Sequence, residues 1–66
     1  MRLVVNGDDT ELSDGATVVD LLEHLGLAPQ WVIVERNGQP VERRDAPSTV
    51  LAPGDRIELV RAVAGG

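Results

Sequence analysis

One short amphipathic helix is the strongest pattern in this 66-residue chain. Four apolar residues follow the spacing i, i+3, i+4 and i+7 of a single helix face, and they are Val18, Leu21, Leu22 and Leu25. Thr17 precedes them as an N-cap, and Asp20 takes the place of the usual Glu in a capping box. Gly26 follows where a left-handed C-terminal cap is needed. The remaining segments carry strand and turn signals, so this one apolar face has to pack on a β-sheet.

Two hairpins flank the predicted helix. Before it, residues 2–5 and 10–12 alternate between apolar and polar side chains around the turn-forming residues 6–9. After it, residues 28–30 form a connector and residues 31–35 a strand, and Asn37-Gly38 has the composition of a type I′ turn, in which both central residues need positive φ. Residues 39–43 return as an edge strand, since Pro40 has no N–H to donate.

The final strand spans residues 56–61, with Ile57 and Leu59 on one face, after an irregular segment at 44–52 and a turn at 53–55. The order is therefore β-β-α-β-β-β, which predicts an α+β fold: one helix across a mixed sheet of four to five strands. With the first and last strands adjacent and parallel, this order fits the β-grasp architecture. We expect one domain over residues 1–61 and a flexible, extended tail over 62–66.

Charge and composition exclude several function classes. The chain has no Cys and a net charge of -5, which argues against thiolate chemistry, metal–thiolate sites and nucleic-acid binding. Seven of the eleven carboxylates lie in residues 1–35, where the net charge is -6, and they form either a solvated surface or a docking patch for a basic partner. No apolar run suits a signal peptide or a membrane span. We expect a soluble, cytoplasmic protein that is monomeric when free.

The last five residues, AVAGG, suggest where chemistry could take place. Gly65 and Gly66 lack Cβ atoms, so they could pass extended through a channel too narrow for side chains. Five residues at about 3.3 Å each would carry the Gly66 carboxylate roughly 16 Å from the folded body. A carboxylate reacts with nucleophiles only after activation, for example by adenylation with ATP, and partner enzymes would supply that catalysis. The alternative is a tail without function, since Gly is common near termini.

Three other features favour ordinary structural roles. His24 has no clustered second ligand type and is expected on the flank of the helix, outside any metal or general-base site. Trp31, the only aromatic residue, is expected at the edge of the core, with an anchor in a protein interface as the alternative. Arg43-Arg44 is expected to be a solvated pair, and no catalytic triad or phosphate-binding loop is visible.

Three blocks of sequence carry a family resemblance that spans essentially the whole chain. They are TVVDLL at residues 17–22, VERNG and VER at 34–38 and 41–43, and PGDRIELVRAVAGG at 53–66. With these blocks the sequence resembles the ThiS family of thiamine-biosynthesis sulfur carriers, within the ubiquitin-like β-grasp group. The last block is the most specific.

The resemblance implies a carrier and no enzyme activity of its own. A ThiF-like enzyme would adenylate Gly66 with ATP, sulfur relayed from a cysteine desulfurase would convert it to a thiocarboxylate, and a ThiG-like thiazole synthase would receive the sulfur. Gly65 would allow the tail to pass through the partner's channel. The partner would dock on an apolar approach to the tail formed by Val60, Ala62, Val63 and Ala64. No cofactor is expected to be bound.

Three alternatives remain open on sequence grounds. The same diglycine chemistry serves carriers for molybdopterin or cysteine biosynthesis. A ubiquitin-like modifier would instead form isopeptide bonds with substrate lysines. A β-grasp adaptor would carry an incidental tail, and Val60 would then be an ordinary exposed apolar residue.

Overall fold

The computed structural model describes residues 1–62 and contains a five-stranded mixed sheet with one α-helix across it. The strand order is β2-β1-β5-β3-β4. The strands and the helix, in chain order, are β1 (Arg2–Val5), β2 (Asp8–Glu11), α1 (Val18–His24), β3 (Val32–Arg36), β4 (Gln39–Val41) and β5 (Arg56–Arg61). The α+β, β-grasp prediction is confirmed, including the parallel pairing of the first and last strands, which aligns Val4 with Arg56 and Val5 with Ile57. Strand β5 therefore lies at the centre of the sheet.

The core lies between α1 and one face of the sheet. Its fully buried members are Leu3, Leu21, Leu22, Ile57 and Val18. The predicted capping box begins the helix: the Asp20 amide donates to Thr17 Oγ1 at 3.2 Å, and the Thr17 amide donates to Asp20 Oδ2 at 2.8 Å. Leu25 departs from the predicted apolar stripe and is 40% exposed, because the helix ends at His24 and Leu25 is its C-cap.

Both hairpins turn on an Asn-Gly pair. In the second, Asn37 and Gly38 have φ of +52° and +83°, as a type I′ turn requires. The first has the same geometry, with φ of +49° at Asn6 and +84° at Gly7. The predicted hairpin is present, and its turn occupies only the first two of the turn-forming residues 6–9. Because Asn6 and Gly7 alone reverse the chain, β2 already begins at Asp8.

The connector before β3 is more regular than the sequence indicated. Residues Pro29–Trp31 form a 3₁₀ turn, in which the Trp31 amide donates to the Ala28 carbonyl at 3.0 Å. Trp31 consequently precedes the strand instead of starting it. A second 3₁₀ turn, Arg43–Asp45, interrupts the segment expected to be irregular and shortens β4 to three residues. Pro40 lies on an edge strand, as predicted.

Candidate functional site

Strand β5 leads into the predicted reactive tail and is paired with a neighbouring strand on both sides. It pairs with β1 on one side and with β3 on the other. Ile57 is fully buried beneath α1, whereas Val60 points to the opposite face and is 59% exposed. The tail therefore extends from a strand that its neighbours hold in place on both sides.

The start of β5 is fixed by a buried carboxylate. Asp55 is 6% exposed and accepts three hydrogen bonds: from Arg36 Nε at 2.8 Å, from Asn37 Nδ2 at 3.0 Å and from the Ala52 amide at 2.8 Å. Burial alone raises the pKa of Asp55, but these hydrogen bonds and the charge of Arg36 outweigh that effect, so the pKa lies below its ordinary value. Asp55 is thus a charged structural anchor without a free oxygen to offer a substrate.

The two turn asparagines also hold β5. Asn6 Oδ1 accepts from the Leu59 amide at 2.8 Å, and Asn6 Nδ2 donates to the Leu59 carbonyl at 3.3 Å. Asn37 Oδ1 accepts from the Arg56 amide at 2.9 Å. The sequence identified both residues as turn formers, but it gave no sign that both side chains reach the same strand.

The base of the tail lies beside Trp31. The Ala62 amide donates to the Trp31 carbonyl at 2.8 Å, so pairing between the two segments continues for one residue beyond β5. The expectation of Trp31 at the core edge was wrong, because its side chain is 55% exposed. A groove of about 360 Å³ lies at this point, and it is lined by Leu27, Trp31, Val32, Arg61 and Ala62.

A second exposed apolar residue, Ile33, was missed by the sequence reasoning. It is 56% exposed and lies directly opposite Val60 in the antiparallel register of β3 and β5. The alternation of β3 contained the signal, because the buried Val34 places Ile33 on the other face. Among the predicted site residues, Val60 and Ala62 thus lie beside Trp31 and Ile33. The predicted roles of Val63, Ala64, Gly65 and Gly66 fall outside the described residues.

The other residues considered in the sequence lie apart from this surface. His24 is exposed at the end of α1, and Arg43 and Arg44 are exposed in the second 3₁₀ turn. Within residues 1–62, no group of three or more His, Asp or Glu side chains is arranged to hold a metal ion. No helix in this part of the chain is both long and apolar enough to cross a membrane.

Comparison with known proteins agrees with this geometry. The model of the ThiS family matches residues 2–66. The chain belongs to the ThiS family. This membership supports the prediction of a sulfur carrier of thiamine biosynthesis. The crystal structure of the thiamine biosynthesis protein ThiS from Geobacter metallireducens has a TM-score of 0.85 at 33% identity, with full coverage of both chains. An NMR solution structure of a thiamine biosynthesis protein from the same organism has a TM-score of 0.79 at 33% identity, covering all of this chain and 88% of that one.

Two curated relatives place a ThiS-like segment in a larger protein. They are thiazole synthases from Magnetococcus marinus, 39% identical over 66 residues, and from Paramagnetospirillum magneticum, 36% identical over the same length. Each alignment covers the whole of this chain but only 20% of the relative. The chain therefore spans about one fifth of the length of these curated relatives.

Proposed function

We propose that this ThiS protein carries sulfur on the carboxylate of Gly66 and delivers it to a thiazole synthase. The observation that carries the proposal is the alignment of the entire chain with one segment of two thiazole synthases. A carrier that shares ancestry with part of a synthase is expected to contact that synthase. Cytoplasmic enzymes would supply the other steps.

The proposed chemistry begins by activating an unreactive group. In a ThiF-like enzyme, a Gly66 carboxylate oxygen attacks the α-phosphorus of ATP, and pyrophosphate leaves. The outer sulfur of a persulfide formed by a cysteine desulfurase then attacks the acyl carbon and displaces AMP, which leaves an acyl disulfide. A second thiol, acting as the reductant, attacks the enzyme-bound sulfur of this acyl disulfide, so that a disulfide forms and the thiocarboxylate leaves. The product is a thiocarboxylate whose sulfur is nucleophilic. This carrier has no Cys, so the sulfur would be borne on the main-chain terminus.

The tail sequence suits delivery into a partner. Gly65 and Gly66 add no side-chain width, and Val63 and Ala64 add little, so these residues would fit a narrow channel. Val60 and Ala62 would contact the partner around its entrance. Because Ala62 is still paired with Trp31, the segment free to enter would begin at Val63.

Intact mass spectrometry tests this proposal directly. The chain is incubated with ATP, its adenylating enzyme, cysteine and a cysteine desulfurase, and its mass is expected to rise by the replacement of one oxygen with sulfur. A variant lacking Gly66 should gain no sulfur, whereas Asp8→Asn, altered on the distant strand β2, should be loaded normally. Thermal denaturation of both variants shows whether they remain folded.

The loaded carrier is then supplied to thiazole synthase, and formation of the thiazole is measured. No mass change with competent enzymes would refute the carrier proposal. Loading followed by transfer only to molybdopterin or cysteine synthesis would refute the thiazole assignment. Adducts with other proteins that resist thiol reagents would indicate a modifier instead.

A further inference from the structure

Both hairpin turns place a reactive pair of residues beside β5. Asn6 and Asn37 have positive φ, and each is followed by a glycine that also has positive φ. Asn-Gly is the dipeptide in which asparagine loses its side-chain amide most readily, because a glycine without a Cβ leaves its own backbone nitrogen unshielded. One short chain therefore contains two candidate deamidation sites of the same sequence and the same backbone geometry.

Deamidation of such a pair requires the asparagine side chain to move. The backbone nitrogen of the glycine attacks Cγ of the asparagine and gives up its proton, ammonia leaves, and a five-membered succinimide ring forms. Water then opens the ring at one of its two carbonyl groups. The product is aspartate or isoaspartate, in which the main chain continues through the former side chain. Water is the co-reactant, and neither carbon nor nitrogen is oxidised or reduced.

The Asn37 side chain is held at both ends of its amide group. Asn37 Oδ1 accepts from the Arg56 amide at 2.9 Å, and Asn37 Nδ2 donates to Asp55 Oδ1 at 3.0 Å. Rotation of the side chain towards the Gly38 nitrogen breaks both hydrogen bonds. Asn37 is an exposed residue, so water is available to open the succinimide once the side chain has been released.

The product at residue 37 conflicts with the same buried carboxylate. Within the described part of the chain, Asp55 Oδ1 accepts a hydrogen bond from Asn37 alone, whereas Oδ2 accepts from Arg36 and from the Ala52 amide. Deamidation replaces the Nδ2 donor, 3.0 Å from Oδ1, by a carboxylate oxygen. Two carboxylates this close repel each other, and Asp55 is too buried for water to screen the repulsion well. Isoaspartate in addition lengthens the main chain of a two-residue turn.

Asn6 provides a comparison within the same chain. Asn6 Oδ1 accepts from the Leu59 amide at 2.8 Å, Nδ2 donates to the Leu59 carbonyl at 3.3 Å, and both hydrogen bonds are exposed. The Asn6 donor therefore contacts a neutral carbonyl, whereas the Asn37 donor contacts a charged carboxylate. Hydrogen bonds to charged groups contribute more than hydrogen bonds between neutral groups, so Asn37 is the more strongly held residue.

We propose that Asn37-Gly38 is a deamidation site that is protected while Asn37 is bound to Asp55 and Arg56, and whose product destabilises the start of β5. A molecule that opens at this point and deamidates loses the Asn37–Asp55 contact permanently. The reaction therefore limits the lifetime of the folded chain and records the opening of β5 as a covalent change. The proposal is independent of sulfur transfer.

The protection is tested by measuring deamidation rates at the two sites. Tandem mass spectrometry of the intact chain, incubated at mildly alkaline pH, distinguishes events at Asn6 from events at Asn37. In guanidinium chloride, which unfolds the chain, both sites should react at similar rates. In the folded chain the reaction should be slower by about 100-fold at Asn37 and by about 10-fold at Asn6. Asp55→Ala removes the acceptor of Asn37 Nδ2 and should raise the rate at Asn37 by about 10-fold relative to the rate at Asn6, which corrects for a general loss of stability.

The effect of the product is tested with variants that mimic it. Asn37→Asp should lower Tm by roughly 4–8 °C or more, whereas the matched variant Asn6→Asp should lower Tm by about half of that or less. In the double variant Asn37→Asp/Asp55→Asn the amide and the carboxylate exchange places, so a donor again faces an acceptor. Its Tm should be higher than that of Asn37→Asp.

Each part of the inference has a result that would overturn it. Equal rates at Asn37 in the folded and the unfolded chain would refute the protection, and so would an unchanged ratio of the two rates in Asp55→Ala. An Asn37→Asp variant that melts with the wild type, or with Asn6→Asp, would refute the effect on β5. A double variant that melts no higher than Asn37→Asp would refute the repulsion between residues 37 and 55.

Discussion

Replacing Asp55 by Ala should destabilise the protein more than the loss of any exposed carboxylate. Asp55 is buried, and its removal leaves Arg36 Nε, Asn37 Nδ2 and the Ala52 amide without an acceptor. A buried donor without a partner costs about 1–3 kcal/mol. Water can reach part of the Arg36 side chain, which is 31% exposed, so we expect the three losses to total about 2–4 kcal/mol and not their full sum.

This loss is large for so small a domain. A chain of 66 residues is expected to have a free energy of unfolding of roughly 3–10 kcal/mol. Urea denaturation followed by circular dichroism measures the change, with Asp8→Ala as the control, because the Asp8 carboxylate makes no hydrogen bond within residues 1–62. The control should stay within about 0.5 kcal/mol of wild type. A loss below about 1 kcal/mol in Asp55→Ala would refute the anchoring role.

The pH dependence provides a second test of the same anchor. The pKa of Asp55 is lower in the folded state than its ordinary value of 3.8, so the unfolded chain binds the proton more readily. The stability from the Asp55 charge is therefore fully present well above pH 3.8 and is lost as the pH falls through the folded-state pKa. The stability difference between wild type and Asp55→Asn should be constant above about pH 5 and should shrink below about pH 4. A difference that stays constant down to about pH 2 would contradict this assignment.

Two further predictions concern local structure. Thr17→Ala removes the cap oxygen 3.2 Å from the Asp20 amide and should cost about 1 kcal/mol, a fall in Tm of roughly 4–8 °C, whereas Thr17→Ser should behave like wild type. Equal melting temperatures for the two variants would contradict the capping role. Gly38→Ala should cost about 1–2 kcal/mol from backbone strain alone, because φ is +83° and an added Cβ meets no atom within 4 Å. An unchanged midpoint in urea would show that the turn does not need glycine.

Much of the fold could be predicted because its signals are local. The capping box joins Thr17 to a residue three positions away, and the second hairpin follows from the composition of Asn37-Gly38. Strand boundaries were harder to predict. The two Asp residues that follow the first Asn-Gly pair also favour turns, so the sequence did not show where the second strand begins. The 3₁₀ turn at Pro29–Trp31 was missed because Pro29 and Gln30 are typical of an irregular connector and Trp31 also suits a strand.

The candidate site was predictable only in part. Val60 could be placed on the exposed face from the alternation of β5, because Ile57 and Leu59 identify the core side. Ile33 could not be placed beside Val60 until the register of β3 against β5 was known. A large apolar residue favours the core on average, and only the covering of one sheet face by a single helix shows which apolar residues remain exposed.

The sequence by itself determined the elements, the turns and the terminal diglycine, because each depends on residues within a few positions of one another. Tertiary structure alone decided which of these parts meet. The Asn6 side chain contacts Leu59, which is 53 positions away in the sequence. Asp55 binds Arg36, which is 19 positions away. Glu35 and Glu58 lie opposite each other on β3 and β5, which are neighbours in the sheet but not consecutive in the chain. Such contacts are set by strand order and register, which result from burying one apolar helix face against the sheet and are not contained in any local run of residues.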